Sequence, residues 1–503
     1  MSQSIINFPV PASSLAVTVN DETANGVKLA QNGDTLTITD GTPPPPSTIT
    51  GVTATGPATL NEGATAQFNA QVTGTGSFNP AVTWSCTDGS ISASGLFTAP
   101  MQVETVTVKA TSVQDPTKFS SVPVSIALPG NTVQIQASGG DDTAALQAAF
   151  NSTASAGKVL EMNTKGGTFH TNPLTVPANL NLLIDPGVLI TDQSAYGTNS
   201  VMFNVANSNV KITGTGAFAQ MPLSFAQSQK DQSEYRHCIA LQANPISNVQ
   251  ITGLSISQAG GDGVYLRNCT NVTVTGVSAK GCYRNGMSIT GQVTNLTLNS
   301  CSVSANLRGG FDIEPNTPAD FLTNVVLNNC ASSNGIPGGL SFGIYALDKT
   351  TKPVSITCNG YTSINDGGYG IFFTNNNNGN TPSGSITVNN AVITNSGFGG
   401  AYGRYTASGP QITFNGLQII NPNQKGMDTH YGMNSATGVD LTGGVTGPCG
   451  GVNFNVQLVS SNNKNMVNYF QQGNQGGNAQ NTTFKVVGSV SGATNPNAVT
   501  KYP

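Results

Sequence analysis

A short motif, Asn followed by alternating apolar residues, recurs through the middle of this chain of 503 residues. The segments SNVQIT, TNVTVT, TNLTLN and TNVVLN follow one another at intervals of 23, 24 and 29 residues, with their Asn at Asn248, Asn271, Asn295 and Asn324. Periods of about 20–30 residues with several short strands per unit are typical of a solenoid. We therefore predict an all-β fold, a right-handed parallel β-helix, in which Asn side chains stacked at the corners satisfy backbone polar groups.

A glycine that begins an alternating segment is the second repeated feature, at Gly263, Gly286, Gly310, Gly343, Gly370 and Gly400. Because side chains alternate across a strand, six residues should point into the core, namely Val264, Leu266, Met287, Ile289, Phe311 and Ile313. The outward residues should form two columns. The first holds Tyr265, Ser288, Asp312, Tyr345, Phe372 and Tyr402, and the second holds Arg267, Thr290, Glu314, Leu347, Thr374 and Arg404.

Cysteine follows the same period. Aligning the Asn motifs brings four residues to one equivalent position, Leu254, Val277, Cys301 and Cys330. A thiol that alternates with Leu and Val behaves as a small buried hydrophobe. We therefore predict that these cysteines are reduced core residues.

Charged residues are scarce, at 8% of the chain against about 25% in an average domain. The net charge of −4 and the lack of a basic run exclude duplex nucleic acid as a partner, because phosphate neutralisation needs clustered Lys and Arg. No apolar stretch approaches the roughly 20 residues of a membrane span, and the N-terminal sequence shows no signal peptide. All the arginines lie in the middle of the chain, where we look for chemistry: Arg236, Arg267, Arg284, Arg308 and Arg404.

Composition divides the chain into five segments. Residues 1–42 are interpreted as a small N-terminal β module for attachment, and the Pro-rich residues 43–47 as a linker. Residues 48–128 carry short strands at regular spacing, which predicts a β-sandwich. The β-helix should occupy residues 129–449, and residues 450–503 should form a β-rich cap or trimerisation segment.

Two carboxylates fall two residues apart on one outward strand, Asp312 and Glu314. Residues at this spacing are about 6.6 Å apart, a distance suited to glycoside hydrolysis by paired carboxylates. Asp262, Arg284 and Arg308 lie in the turns just before these strands. We predict that Asp312 and Glu314 are catalytic and that Asp262 assists. The alternative is that these acids only form surface ion pairs with the arginines and stabilise the stack.

The surrounding residues should bind substrate. Arg284, Arg308 and Arg267 could hold anionic or hydroxyl groups, and the outward aromatic residues could stack on sugar rings. A second polar segment, KDQSEYRHC, should lie one coil earlier, where its His is either a base, a ligand of a substrate carboxylate, or structural. The remaining predicted binding residues are Tyr283, Tyr265, Tyr345, His237 and Glu234.

The segments GGDGVYL, CYRNGMSI and GGFDIEPN resemble pectate-lyase-like right-handed β-helix proteins of bacteria and phages. The segment DTAALQAA resembles the short helix that covers the first coil of such proteins; Asp141 or Asp142 should cap it, and Ala144, Leu146 and Phe150 should share its apolar face. The segment AVTWSC, with ISASGLFTAP after it, resembles bacterial immunoglobulin-like group 2 domains, where Trp84 would fill the core of the sandwich. Such domains serve as spacers or binding modules.

The order of segments is similar to that of phage tailspikes. The resemblance implies a homotrimer joined to a phage particle or baseplate through the N-terminal module, located in the virion and acting outside the cell. It also implies binding and cleavage of a bacterial surface polysaccharide. Cleavage by hydrolysis is the leading hypothesis. The rivals are a lyase acting on a uronate polymer, with Tyr283, His237 or an Arg as base, and a non-catalytic glycan-binding adhesin or structural virion protein.

No cofactor or metal is predicted. Lyases of the calcium-dependent type need several grouped carboxylates, and the outward patch offers three at most. Polygalacturonase-type hydrolases carry an N-T-D-G element, of which only Asp262 and Gly263 remain in this sequence.

Overall fold

A computed structural model describes residues 3–7, 27–32, 35–40, 46–163, 167–192, 201–219, 236–243, 245–375, 380–425, 437–442, 451–459, 468–472, 482–486 and 499–501. The chain divides into two compact units, Met1–Gly130 and Asn131–Pro503.

The described residues of the first unit form twelve strands: β1 Gln3–Asn7, β2 Val27–Asn32, β3 Thr35–Asp40, β4 Thr48–Thr55, β5 Thr59–Asn61, β6 Thr65–Gln67, β7 Asn69–Thr75, β8 Val82–Cys86, β9 Ser90–Ile91, β10 Leu96–Thr98, β11 Thr105–Ser112 and β12 Phe119–Ala127. Strands β1–β3 form one antiparallel sheet, and the others form small sheets ordered β5-β12-β11-β8, β6-β10-β9 and β4-β7. The sheets β5-β12-β11-β8 and β6-β10-β9 share a hydrophobic core that contains Phe68 and Phe97, each at most 1% exposed. Trp84 is only half-buried and packs on Phe68 edge to face, so the predicted central plug is at the margin of this core.

The second unit begins with β13 Thr132–Gln136 and the helix α1 Thr143–Ala156. Leu146 and Phe150 lie on the buried face of α1, as predicted, whereas Ala144 is exposed. Asp142 occupies the N-cap position without a side-chain cap bond. Its carboxylate instead accepts hydrogen bonds from the backbone N–H groups of Ser138 and His170. These bonds fix the start of the helix to the turn before it and to the strand that contains His170.

The rest of this unit is a succession of short strands: β14 Val159–Asn163, β15 Thr168–Thr171, β16 Leu174–Val176, β17 Asn181–Ile184, β18 Leu189–Asp192, β19 Phe203–Val205, β20 Val210–Gly214, β21 Ala217–Ala219, β22 Ile239–Leu241, β23 Ile246–Thr252, β24 Ser255–Ser257, β25 Val264–Thr275, β26 Ser278–Lys280, β27 Asn285–Asn299, β28 Ser302–Ser304, β29 Gly309–Ile313, β30 Phe321–Asn328, β31 Ala331–Ser333, β32 Gly338–Ile344, β33 Val354–Asn359, β34 Thr362–Ile364, β35 Tyr369–Asn375, β36 Gly384–Asn389, β37 Val392–Thr394, β38 Ala401–Arg404, β39 Gln411–Ile420, β40 Thr437–Thr442, β41 Val452–Val459, β42 Asn468–Gln472, β43 Thr483–Val486 and β44 Val499–Lys501.

Each of these strands pairs in parallel with its equivalent in the next coil, as β14 does with β17 and β17 with β20. The strands wind into one continuous solenoid, and the predicted parallel β-helix is confirmed. All six side chains predicted to point inward are buried, at 1% exposure or less. They belong to one continuous hydrophobic core that runs along the unit.

The corner asparagines form the predicted ladder. Asn248, Asn271, Asn295 and Asn324 have φ angles of 58°, 55°, 53° and 55°, in the left-handed region that Asn tolerates better than most residues. Each side-chain amide donates to the amide oxygen of the Asn one coil before, at 2.9 Å from Asn295 to Asn271. The side-chain amide of Asn324 donates to that of Asn295 at the same distance, 2.9 Å.

The aligned cysteines are free thiols in the core, as predicted. Cys301 and Cys330 are each 1% exposed, and the strands that follow them, β28 and β31, are in register. Burial raises the pKa of Cys269 and of Cys358 to about 12, so both stay protonated.

The glycine alignment is wrong at one coil. Leu340 pairs with Phe311 on one side and with Ile371 on the other, which places Gly339, and not Gly343, in the glycine column. A Cβ at Gly339 would lie 2.3 Å from the Tyr361 hydroxyl, so this corner has no room for a side chain.

No helix in the described part of the chain is long and apolar enough to cross a bilayer.

Candidate active site

The register of the coils brings the predicted acids onto one outward face. Ser288, Asp312, Ser341 and Phe372 are consecutive partners on β27, β29, β32 and β35. Glu314 directly follows β29, and its backbone N–H donates to the carbonyl of Ile289 in the coil before. Asp312 and Glu314 therefore project from the same edge of one coil.

The acids line a groove with two pockets. The larger encloses about 550 Å³, and the side chains that give it charge and apolar surface are Arg284, Arg308, Asp312, Glu314, Ile336, Phe372, Phe398 and Lys425. The smaller encloses about 260 Å³ and is bordered by Tyr265, Arg267, Ser288, Thr290 and Asn316. Both pockets share Arg284, Asp312 and Glu314, so the carboxyl pair lies between them.

Asp312 has an unusual protonation equilibrium. Desolvation in the groove, reinforced by the negative charges of Glu314 and Asp262, raises its pKa to about 8. The positive charge of Arg284 opposes this shift only in part. Asp312 is therefore mostly a neutral acid at neutral pH.

A side-chain hydrogen bond with Glu314 also raises the pKa of Asp312, so the two carboxyl groups are neighbours. Groups joined by a hydrogen bond lie closer than the roughly 5 Å or more that separates carboxyl groups in glycoside hydrolases. Tyr345 donates its hydroxyl hydrogen to Glu314 Oε1 at 2.5 Å, and this bond together with burial raises the Tyr345 pKa to about 12. Glu314 thus accepts hydrogen bonds, while Asp312 supplies a proton.

Asp262 is not exposed to the groove. Its exposure is 0%, and it borders neither pocket. Its Oδ2 lies 3.7 Å from Arg284 Nη1 and 3.3 Å from His237 Nδ1. The sequence placed Asp262 in the right neighbourhood, but this carboxylate does not reach a bound polymer as a catalytic group would.

Two predicted binding residues are also buried. His237 is 1% exposed and stacks on Tyr265 with ring centroids 4.2 Å apart, and Tyr283 is 3% exposed. Neither lines either of the two pockets of the groove. Arg236, from the same sequence segment as His237, is buried and lies 3.8 Å from Asp192. Glu234 lies outside the described residues.

The predicted arginines and outward tyrosines do border the groove in part. Arg267 and Arg308 are exposed, Arg284 is half-buried, and all three line a pocket. Tyr265 is half-buried on the smaller pocket, where one ring face is covered by His237. Tyr345 is 46% exposed and reaches the site through its bond to Glu314.

Two positions in the predicted outward columns are wrong. Ser341 and Gly343 occupy the places assigned to Tyr345 and Leu347, and Leu347 is buried. The segment GGLSFGIYAL contains two glycines that each precede an alternating run, and the sequence alone does not choose between them. Tyr402 is in its predicted column but is only 1% exposed, because it stacks on Tyr369 at 4.6 Å.

The sequence missed several residues of the site, and four of them show why. Ile336, Phe398 and Lys425 come from turns between strands, where no period marks which side chains face the groove. Asn285 begins β27, and its side-chain amide donates to Asp312 Oδ2 at 3.0 Å. Its place directly after Arg284 in CYRNG was the only sequence signal.

Within the described residues, no group of three or more His, Cys, Asp or Glu side chains is arranged to hold a metal ion. The groove combines the neutral acid Asp312, the hydrogen-bond acceptor Glu314 and several cationic side chains. Such a set can donate a proton, accept a proton or attack as a nucleophile, and bind negative charge.

The family model of the right handed beta helix region matches residues 186–356, less than half of the chain. Among solved structures, the chain is similar to the A-module of the mannuronan C-5 epimerase AlgE4 of Azotobacter vinelandii, at 15% identity and a TM-score of 0.51, over 71% of this chain and 93% of that one. The AlgE6 A-module of the same organism is 16% identical, with a TM-score of 0.51, over 72% of this chain and 96% of that one. The polygalacturonase of Erwinia carotovora ssp. carotovora is 13% identical, with a TM-score of 0.48, over 70% of this chain and 96% of that one.

These likenesses define the class of fold, a right-handed parallel β-helix of the pectate-lyase-like type. No curated protein sequence matches this chain.

Proposed function

We propose that this protein is a polysaccharide depolymerase that cleaves glycosidic bonds by hydrolysis in the groove around Asp312 and Glu314. The observation that carries the proposal is the carboxyl pair, in which Asp312 has a pKa of about 8 beside Glu314. Asp312 is the general acid that protonates the leaving oxygen. Glu314, hydrogen-bonded by Tyr345, is the base or nucleophile.

The hydrogen bond between the two carboxyl groups must open before a sugar can bind between them. Hydrolysis needs the pair about 5 Å or more apart, with the sugar between them. Glu314 lies just beyond the end of β29 and carries a longer side chain than Asp312, so it is the member that turns away when a sugar enters. Because the groove continues on both sides of the pair, the proposed substrate is the interior of a polymer.

Arg284, Arg308 and Lys425 line the same pocket and favour a polymer that carries negative charge. The same cations support a second candidate, β-elimination on a uronate polymer, in which they neutralise the carboxylate next to the acidic C–H. The similar epimerase modules are named for a reaction on mannuronan. The sequence-predicted bases Tyr283 and His237 are buried, so Glu314 is the group placed to remove that proton.

The test is incubation of the purified full chain with a panel of capsular and extracellular bacterial polysaccharides. Hydrolysis produces new reducing ends without ultraviolet absorbance, whereas elimination also produces an unsaturated sugar that absorbs. Replacing Asp312→Asn and Glu314→Gln should each lower kcat by about 100-fold or more. Binding without either product, unchanged by both substitutions, would favour the adhesin reading instead.

The biological setting is part of the same proposal. The order of segments supports a homotrimeric, tailspike-like protein of a phage particle, attached through residues 1–42 and trimerised through residues 450–503. Light scattering of the full chain should give the mass of three copies of the 51.5 kDa chain. A monomer in solution would contradict the trimeric arrangement without touching the groove chemistry.

A further inference from the structure

A layer of buried polar side chains lies in the coils that precede the carboxyl pair, and the proposed reaction does not use it directly. Asp262 and His237 are 0% and 1% exposed. A buried carboxylate costs free energy unless neighbouring groups compensate its charge, so the contacts of Asp262 indicate what this layer holds in place.

Asp262 contacts the beginning of the next coil. Its Oδ1 accepts a hydrogen bond from the backbone N–H of Asn285 at 2.9 Å, and its Oδ2 lies 3.7 Å from Arg284 Nη1. Its own backbone N–H donates to His237 Nδ1 at 3.0 Å. One carboxylate therefore fixes the turn that places both Arg284 and Asn285.

Asn285 links this turn to Asp312 through a hydrogen bond. It is 4% exposed, and its Nδ2 donates to Asp312 Oδ2 at 3.0 Å and to Ser288 Oγ at 3.1 Å. Because Asn285 donates a hydrogen bond to Oδ2, the carboxyl group of Asp312 cannot rotate freely.

We propose that Asp262 and Asn285 are positioning residues for Asp312: Asp262 fixes the turn, and Asn285 fixes the carboxyl group. His237 supports Asp262 from the opposite side, held flat by its stack on Tyr265. The inference rests on the proposed role of Asp312 as the acid.

The charges around Asp312 allow this arrangement to be tested without substrate. Glu314 follows Asp312 on the same coil, Arg284 lies one coil before it and Asp262 two coils before it, and Arg308 and Lys425 line the same pocket. Among them, the negative charges of Glu314 and Asp262 raise the pKa of Asp312, and the positive charge of Arg284 lowers it. Neutralising Asp262 and neutralising Arg284 should thus move this pKa in opposite directions.

The experiment is an infrared pH titration of the protonated carboxyl band in the full chain, assigned to Asp312 by its loss in Asp312→Asn. We expect Asp262→Asn to shift the midpoint down by roughly 1 pH unit and Arg284→Gln to shift it up by a similar amount. Asp185→Asn, which removes a buried carboxylate of another coil, is the matched control and should leave the midpoint unchanged. Shifts in the same direction, or none, would overturn the inference.

A kinetic arm tests the second residue. Asn285→Ala leaves Asp262 and its charge in place and should lower kcat by about 10–100-fold with KM within about twofold, because the acid loses its orientation. A rise in KM alone, or a loss of activity equal to the loss of folded protein, would contradict a positioning role. If Asp262→Asn does not fold, Arg284→Gln and Asn285→Ala still decide the matter. Opposite infrared shifts in a protein that cleaves no polysaccharide would support the positioning layer and refute the proposed function.

Discussion

Asp312 shows how a single residue can be favourable for chemistry and unfavourable for folding. Its neutral form is retained in the groove by desolvation and by neighbouring negative charge, which raise its pKa from 3.8 to about 8. An acid that stays protonated at neutral pH can donate to a leaving oxygen. The same environment penalises its ionised form, so the effect should also appear in the pH dependence of stability.

The first prediction concerns this stability effect. Because the folded pKa of Asp312 is raised, its contribution to the free energy of unfolding is full below pH 3.8 and is lost as the pH rises through about 8. Asp312→Asn cannot ionise, so it should match the native chain at low pH and exceed its stability by about 1–3 kcal/mol at high pH, a range reduced for the partial solvent contact of the side chain. Urea denaturation followed by circular dichroism at several pH values measures the difference. A gap that is constant with pH would contradict the raised pKa.

At the scale of the strand and corner, the Asn ladder combines a backbone requirement with a side-chain bond. Asn295 has a φ of 53°, accepts a bond from Asn324 and donates one to Asn271. The second prediction separates the two contributions. Asn295→Gly keeps the left-handed backbone and loses only the ladder, whereas Asn295→Ala loses the ladder and also strains the backbone by about 1–2 kcal/mol.

Thermal denaturation should therefore rank the native chain above Asn295→Gly and Asn295→Ala below both. Thr297→Ala, an outward change two residues along β27, should lie within about 0.5 kcal/mol of the native chain. Equal stability of the Gly and Ala variants would show that the backbone conformation carries no cost at this corner.

Strands and corners were readable from the sequence wherever one period dominated. The inward positions on β25, β27 and β29 follow from alternation alone, because only one register buries them. At β32 the register was ambiguous, since both Gly339 and Gly343 precede alternating runs, and the choice depends on contact with Tyr361. Burial of Asp262 depends on packing against His237 and Arg284, which sequence spacing does not contain.

At the scale of the whole molecule, the chain divides into the units Met1–Gly130 and Asn131–Pro503. Every residue that lines the two pockets belongs to the second unit. The third prediction is that a chain beginning at Asn131 folds and cleaves short soluble oligosaccharides with a kcat/KM within about twofold of the full chain. The full chain is the control, and a large loss of activity in a folded fragment would assign part of the site to the first unit.

The coil-by-coil pairing of the second unit also bears on how such a protein can change over evolutionary time. Within the described residues, the strands of each coil pair with those of the coils before and after it, so duplication or loss of one complete coil leaves the same pairing pattern. The groove takes Arg284, Asp312, Ile336 and Phe372 from successive coils. A recombination event that inserts a coil beside Asp312 would therefore replace one neighbour of the acid and alter the glycan that fits, while the inherited scaffold continues to fold.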